Sequence, residues 1–277
     1  MKKELVNQRV CLTIAGLDPS GGAGIIADIK TFSAFGCFAA AVVSSVTFQN
    51  TTGVFGAVHQ TADSVRRQAT PVLDDYNVAA LKTGMLPTRE IIEEVADIIS
   101  GHSLKNIVVD PVVRSTSGFD LIDDAALTAL IEKLFPIADL ITPNIPEAER
   151  IARLKIGSPD DIHKAAEIMR SLGAKNVLIK GGHDFEERRK GEEEKGRKAK
   201  DFLFIGEYLE IVEAEFIETT ATHGTGCTLA AAIAANLALG NTLIEAVKIA
   251  KDFVTEAIRT APNLGKGNSP INITWQA

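Results

Sequence analysis

Short runs rich in β-branched and other apolar residues alternate along this chain with longer segments whose apolar positions recur every three or four residues. The runs are Val10 to Ala15, Ala41 to Val46, Val78 to Leu81, Asn106 to Val109, Leu140 to Thr142 and Val177 to Lys180. Near-continuous apolar runs of this length suit strands covered on both faces. Between the first two, Gly24 to Phe35 sets Ile25, Ile26, Ile29 and Phe32 on one stripe, which predicts a helix with one buried face. The same spacing predicts helices over Ala62 to Leu73, Arg89 to Ser100, Asp123 to Leu134, Pro159 to Leu172, Thr225 to Leu239 and Leu243 to Thr260. Strands alternating with helices predict an α/β fold, a three-layer α/β/α arrangement around a mostly parallel sheet. Phe202 to Ile205 and Tyr208 to Val212 read as two strands joined at Gly206-Glu207, an antiparallel hairpin added at the sheet edge.

Length and composition narrow this without redirecting it. The chain has 277 residues, 45% hydrophobic and 23% charged, which excludes disordered, collagen-like and fibrous classes. No linker or repeat divides it, so residues 1–277 are expected to form a single domain. Asp184 to Lys200 breaks the pattern with seven bases, six acids and almost nothing apolar, and reads as a solvated loop insertion (184–200) or hairpin tip. Lys plus Arg is 29 against 36 Asp plus Glu, a net charge of −7, so no nucleic acid and no membrane surface is expected as a partner. Any phosphate must be held locally. Three scattered cysteines, Cys11, Cys37 and Cys227, fit neither a disulfide framework nor a zinc site. With no leader pattern and no bilayer-length apolar segment, the expected compartment is the cytoplasm.

The chemistry concentrates in six places. His223-Gly-Thr-Gly-Cys-Thr228 opens an alanine-rich helix. Its glycines allow close backbone approach, and the free N–H groups of the first turn with the positive dipole end make an anion hole. Glycines alone also serve as plain turn residues, but a thiol in the first turn is placed where thiolate is favoured. Gly16 to Gly24 is a second glycine-rich strand-to-helix turn, without the dinucleotide fingerprint or the Walker lysine. Asp28, one turn further, can either meet a ligand over that turn or complement the helix dipole. Lys82-Thr-Gly-Met85, Asp110-Pro-Val-Val113, Thr142-Pro-Asn-Ile-Pro-Glu147 and Lys180-Gly-Gly-His183 each follow a predicted strand, where open α/β sheets bind ligands. Asp110, Asn144 and Glu147 are hard oxygen donors able to organise a hydrated Mg²⁺, and Lys180 can neutralise a phosphate. Prolines 111, 143 and 146 also act as strand stops.

In order, AGLDPSGGAGIIADIKTF, FQNT, KTGML, DPVV, TPNIPEAE, IKGGH and HGTGCT resemble the hydroxymethylpyrimidine/phosphomethylpyrimidine kinases of thiamine biosynthesis, in the ribokinase-like superfamily. The likeness runs from about Val10 to Arg259. It implies ATP- and Mg²⁺-dependent transfer of a phosphoryl group to the hydroxymethyl oxygen of 4-amino-5-hydroxymethyl-2-methylpyrimidine, and then of a second to the monophosphate. By the same resemblance Gly16, Asp28, Gln49, Met85 and Val112 line the pyrimidine site. Thr142, Asn144, Gly224, Thr225 and Gly226 lie at the nucleotide phosphates. Asp110 and Glu147 are the metal candidates, Lys180 and Cys227 the catalytic ones, and a homodimer is implied. A glutamine amide can pair with an aminopyrimidine edge while Met85 and Val112 flank its faces. A helix N-terminus lowers a thiol's pKa, which makes Cys227 a candidate general base. Arg114 stands where the family usually has an apolar or small residue, and 184–200 is longer than the usual connection. The alternatives are a pyridoxal or pyridoxine kinase of the same superfamily and, in another class, a non-catalytic nucleotide-binding regulator. A nicotinamide oxidoreductase lacks its fingerprint.

Overall fold

A computed structural model describes residues 8–113, 121–181 and 197–275. Arg114, His183 and most of the charged stretch 184–200 lie outside the described residues. Among the described residues nine strands form one sheet: β1 (Val10–Leu17), β2 (Phe38–Asn50), β3 (Gly53–His59), β4 (Val78–Thr83), β5 (Ile107–Val109), β6 (Leu140–Ile141), β7 (Asn176–Lys180), β8 (Lys198–Ile205) and β9 (Tyr208–Glu215). Their order is β3-β2-β1-β4-β5-β6-β7-β8-β9. Every neighbour from β2 to β7 is parallel, while β3 on one side and β8 and β9 on the other are antiparallel.

The helices are α1 (Gly24–Ala34), α2 (Ala62–Asp75), α3 (Arg89–Gly101), α4 (Asp124–Ala129), α5 (Ile145–Ala152), α6 (Pro159–Ser171), α7 (Thr225–Ala238) and α8 (Leu243–Arg259). Alternation along each strand divides the core into two layers. Leu12 and Ile14 face α2, α3, α4 and α6, whereas Cys11, Ala80 and Val108 face α1, α7 and α8. The predicted layered α/β fold with a parallel centre and an antiparallel edge hairpin is therefore the fold seen.

Four details differ from the sequence reading. β2 runs on to Asn50 and returns as β3, which gives the sheet a second antiparallel edge. The predicted helix 123–134 keeps α-helical spacing only through α4 and then widens into a π turn over Leu130–Leu134. Pro143 and Pro146 lead into a helix: Asn144 caps α5 in a reciprocal box with Glu147, and Pro146 sits in its first turn, where no N–H is missed. Lys198 to Lys200, placed with the loop by their charge, belong to β8, and Lys198 pairs with Glu213 on β9.

The chain leaves β1 toward β2 on one side and later returns to β4 on the other, so direction reverses beside β1. Ligand crevices form at such a reversal, beyond the carboxyl ends of the strands.

Candidate active site

The carboxyl ends of β1, β4, β5, β6 and β7, with the described residues just beyond them, meet the start of α7 around a cleft of about 1080 Å³. Gly16, Gln49, Met85, Val112, Asp110, Asn144, Glu147, Lys180, Gly224, Thr225, Gly226 and Cys227 all line it. Residues far apart in the chain converge because each strand ends at the same level of the sheet.

At the β1 end, Gly16 leaves room for Met85: a Cβ there would lie 3.1 Å from the Met85 sulfur. Ser44 Oγ donates to the Met85 carbonyl at 2.6 Å, so the methionine's backbone is fixed from beneath. Gln49 reaches in from β2. These residues line a slot of the cleft with an amide and apolar side chains, a lining suited to a flat heteroaromatic ring.

At the centre, Gly224 caps α7 in the left-handed region, φ 86°. A side chain at 224 would also run into the Gly22 carbonyl, so the two glycine-rich turns interlock. Thr225, Gly226 and Cys227 then form the open first turn of α7. Lys180 Nζ lies 3.3 Å from where a Cβ on Gly226 would stand and donates to Asp110 Oδ1 at 2.8 Å. Burial works against the Lys180 charge, but Asp110 and Glu147 outweigh it and raise its pKa above the ordinary lysine value. A helix N-terminus and a cation thus share one end of the cleft.

The carboxylates behave differently from surface acids. Asp110 Oδ1 accepts from Thr142 Oγ1 at 3.0 Å as well as from Lys180. Glu147 Oε2 accepts from the Asn144 backbone N–H at 2.8 Å. Burial pushes the Glu147 carboxyl up to about 7; Lys180 opposes this and Asp110 adds to it.

Three expectations are corrected. Asp28 does not line the cleft. Its side chain is wholly buried below the cleft floor, bound to Lys82 Nζ at 2.9 Å and to Thr13 Oγ1 at 2.6 Å, which leaves no edge for a ligand. Thr142 is likewise buried, its hydroxyl spent on Asp110 rather than on a phosphate. The Cys227 thiol is not lowered toward neutrality: burial pushes it up to about 11. Lys82 pulls the other way, but Asp28 and Asp110 add to the rise.

Asp18, Lys82 and His223 lie within the quoted motifs but had no role from the sequence. All three line the cleft. Lys82 is fully buried, and Asp28 keeps it charged despite that burial. Its signal was present: a lysine ending an apolar strand needs a buried partner. The far end of the cleft, lined by Glu215, Phe216, Ile217, Lys251, Val254 and Ile258, carried no motif because β9 and α8 read only as regular amphipathic elements.

A helix N-terminus and a lysine at a switch-point cleft suit the binding of a phosphate, and the solved kinases with which the chain shares its fold make it a ribokinase-like phosphotransferase. The sequence matches the phosphomethylpyrimidine kinase family over residues 18–272, and the chain belongs to that family. It is 41% identical over 268 residues to the hydroxymethylpyrimidine/phosphomethylpyrimidine kinase of Haemophilus influenzae, covering 96% of this chain and 97% of that protein. Among solved structures, phosphomethylpyrimidine kinase from Clostridium difficile 630 superposes with a TM-score of 0.77 at 41% identity, covering 91% of this chain and 100% of that one. An ADP complex of Bacillus subtilis pyridoxal kinase gives 0.85 at 37%, covering 96% and 98%. The chain is a kinase.

Proposed function

We propose that this kinase phosphorylates 4-amino-5-hydroxymethyl-2-methylpyrimidine and then its monophosphate, supplying the pyrimidine diphosphate of thiamine biosynthesis in the cytoplasm. The observation that carries this is the slot of Gly16, Gln49, Met85 and Val112 opening onto the first turn of α7 in one cleft. The ring lies between Met85 and Val112 with Gln49 on its amino edge, and its hydroxymethyl arm points to Cys227. The γ-phosphoryl group rests against the amides of Thr225, Gly226 and Cys227, with Lys180 as the countercharge and Asn144 beside it.

Transfer through a loose transition state asks for alignment and charge neutralisation more than early removal of the alcohol's proton. A neutral Cys227 thiol fits that demand by orienting the acceptor oxygen. Glu147 and Asp110 suit Mg²⁺, which is normally held by one or two carboxylates plus substrate phosphates and water. A cation beside them would relieve the like-charge crowding that helps raise Glu147. Among the described residues no group of three or more acidic, His or Cys side chains could hold a metal alone, so the ion is taken to arrive with the nucleotide. Bound there, it supplies charge neutralisation on the phosphates. A homodimer is the assembly we assign by family resemblance.

Incubation with MgATP and the hydroxymethylpyrimidine, followed by separation of products, should yield monophosphate and then diphosphate. Monophosphate alone would restrict the reading to the first step, and no product would sink it. The likeness to a pyridoxal kinase favours one second reading, phosphorylation of pyridoxal or pyridoxine. The ratio of kcat/KM values on the two alcohols ranks them.

A further inference from the structure

Asp18 and His223 are 205 residues apart in sequence, both buried, and joined by a bond of 2.8 Å from His223 Nε2 to Asp18 Oδ2. Neither needs the other to build its own turn. Asp18 already accepts from Ser20 N at 2.8 Å, Ser20 Oγ at 2.9 Å and Ala23 N at 2.9 Å, and so shapes the loop that enters α1. The His223 backbone is held by Ser269 O at 3.2 Å. The bond between them therefore fixes one turn relative to the other. It does so at the interlock, where the bare Gly22 backbone lies against His223 and Gly224. His223 Nε2 also stands 3.5 Å from the Gln49 amide, the group assigned to the ring edge.

We infer that Asp18 and His223 are positioning residues: their buried bond sets the distance between the substrate slot and the anion-binding turn of α7. The inference rests on reading the cleft as a kinase site for a hydroxymethyl heterocycle. The first turn of α7 holds the phosphoryl donor and the β1 loop holds the acceptor, so a small relative shift changes the approach of oxygen to phosphorus. A misplacement of about 1 Å costs on the order of 100-fold in rate. Binding of nucleotide alone uses only one of the two turns and should not feel the shift.

The test compares wild type, His223→Leu, His223→Gln and Asp18→Asn with MgATP and whichever alcohol the wild type turns over, alongside ADP affinity and unfolding midpoint. His223→Leu should lose about 100-fold in kcat with ADP affinity retained. His223→Gln places an amide N–H where Nε2 was and should recover to within about tenfold, with the wild-type pH profile. The double variant His223→Leu/Asp18→Asn should be no worse than the poorer single variant. Equal losses in the Leu and Gln variants, a fully active Leu variant or additive losses would overturn the inference. If His223→Leu does not fold, His223→Gln against His223→Asn decides: Gln must be active and Asn not, and the reverse rejects the inference. Wild-type turnover, measured first, judges the functional reading separately. A wild type active only on pyridoxine corrects the substrate and leaves this test standing, while one inert to both alcohols rejects both readings.

Discussion

Cys227 shows how local and tertiary forces compete over one atom. Its place in the first turn of α7 is legible in the sequence and favours thiolate. The packing around this half-buried side chain, and the Asp28 and Asp110 carboxylates nearby, are not legible and win, pushing the thiol up to about 11. Alkylation of Cys227 by iodoacetamide should therefore be slow at pH 8 and rise toward pH 11, unlike a free thiol of pKa about 8.5. A rate already at plateau by pH 8 would restore the thiolate. Cys227→Ser, which keeps a hydrogen-bonding group, should retain more kcat than Cys227→Ala, and equal turnover in both would remove any orienting role. Asp28 carries the same lesson. A motif marks it as functional, but one helical turn of spacing cannot say whether a side chain points up into a cleft or down onto a lysine. Lys82→Met leaves the Asp28 carboxylate buried without its cation, which should cost about 3–5 kcal/mol in denaturant unfolding. The double variant Lys82→Met/Asp28→Asn should recover most of that loss. A double variant as unstable as the single one would mean that the pair is not the unit of cost.

At the scale of elements, the parallel strands and long helices were legible because each is a periodic pattern covered on fixed faces. What escaped was set by context. β3 contains Gly53 and Gly56 and is half exposed, so its pattern is weak, and its pairing with β2 is what makes it a strand. α5 hid behind Pro143 and Pro146, which read as stops to a strand while also serving as an entry to a helix. The start of α7 was legible as a turn, but its dependence on a loop two hundred residues earlier was not. Gly224→Ala tests that element. The left-handed conformation alone costs about 1–2 kcal/mol, and the new methyl must also push Gly22 away. The expected result is a lower melting temperature, with ADP binding lost in calorimetry because the α7 turn itself is distorted; an unchanged melting temperature would contradict the tight interlock.

For the whole molecule, a net charge of −7 offers no general attraction to anions. In the function proposed above, recognition falls to the N-terminus of α7 and Lys180, whose side chain is largely buried and so little screened by salt. Raising NaCl from about 0.05 to 0.5 M should therefore change KM for ATP by less than about threefold, since only exposed charge pairs are strongly screened over that range. A steep dependence would point to surface lysines instead. The interlocked turns also carry a consequence for the order of assembly. β1 and α1 are made first, but the partner of Asp18 is 205 residues later and its backbone hangs on Ser269. A ribosome-bound chain can pair its central strands long before it can bind nucleotide. The two turns can be locked together only once residues 223 and 269 have been made, by which time the central strands can already be paired.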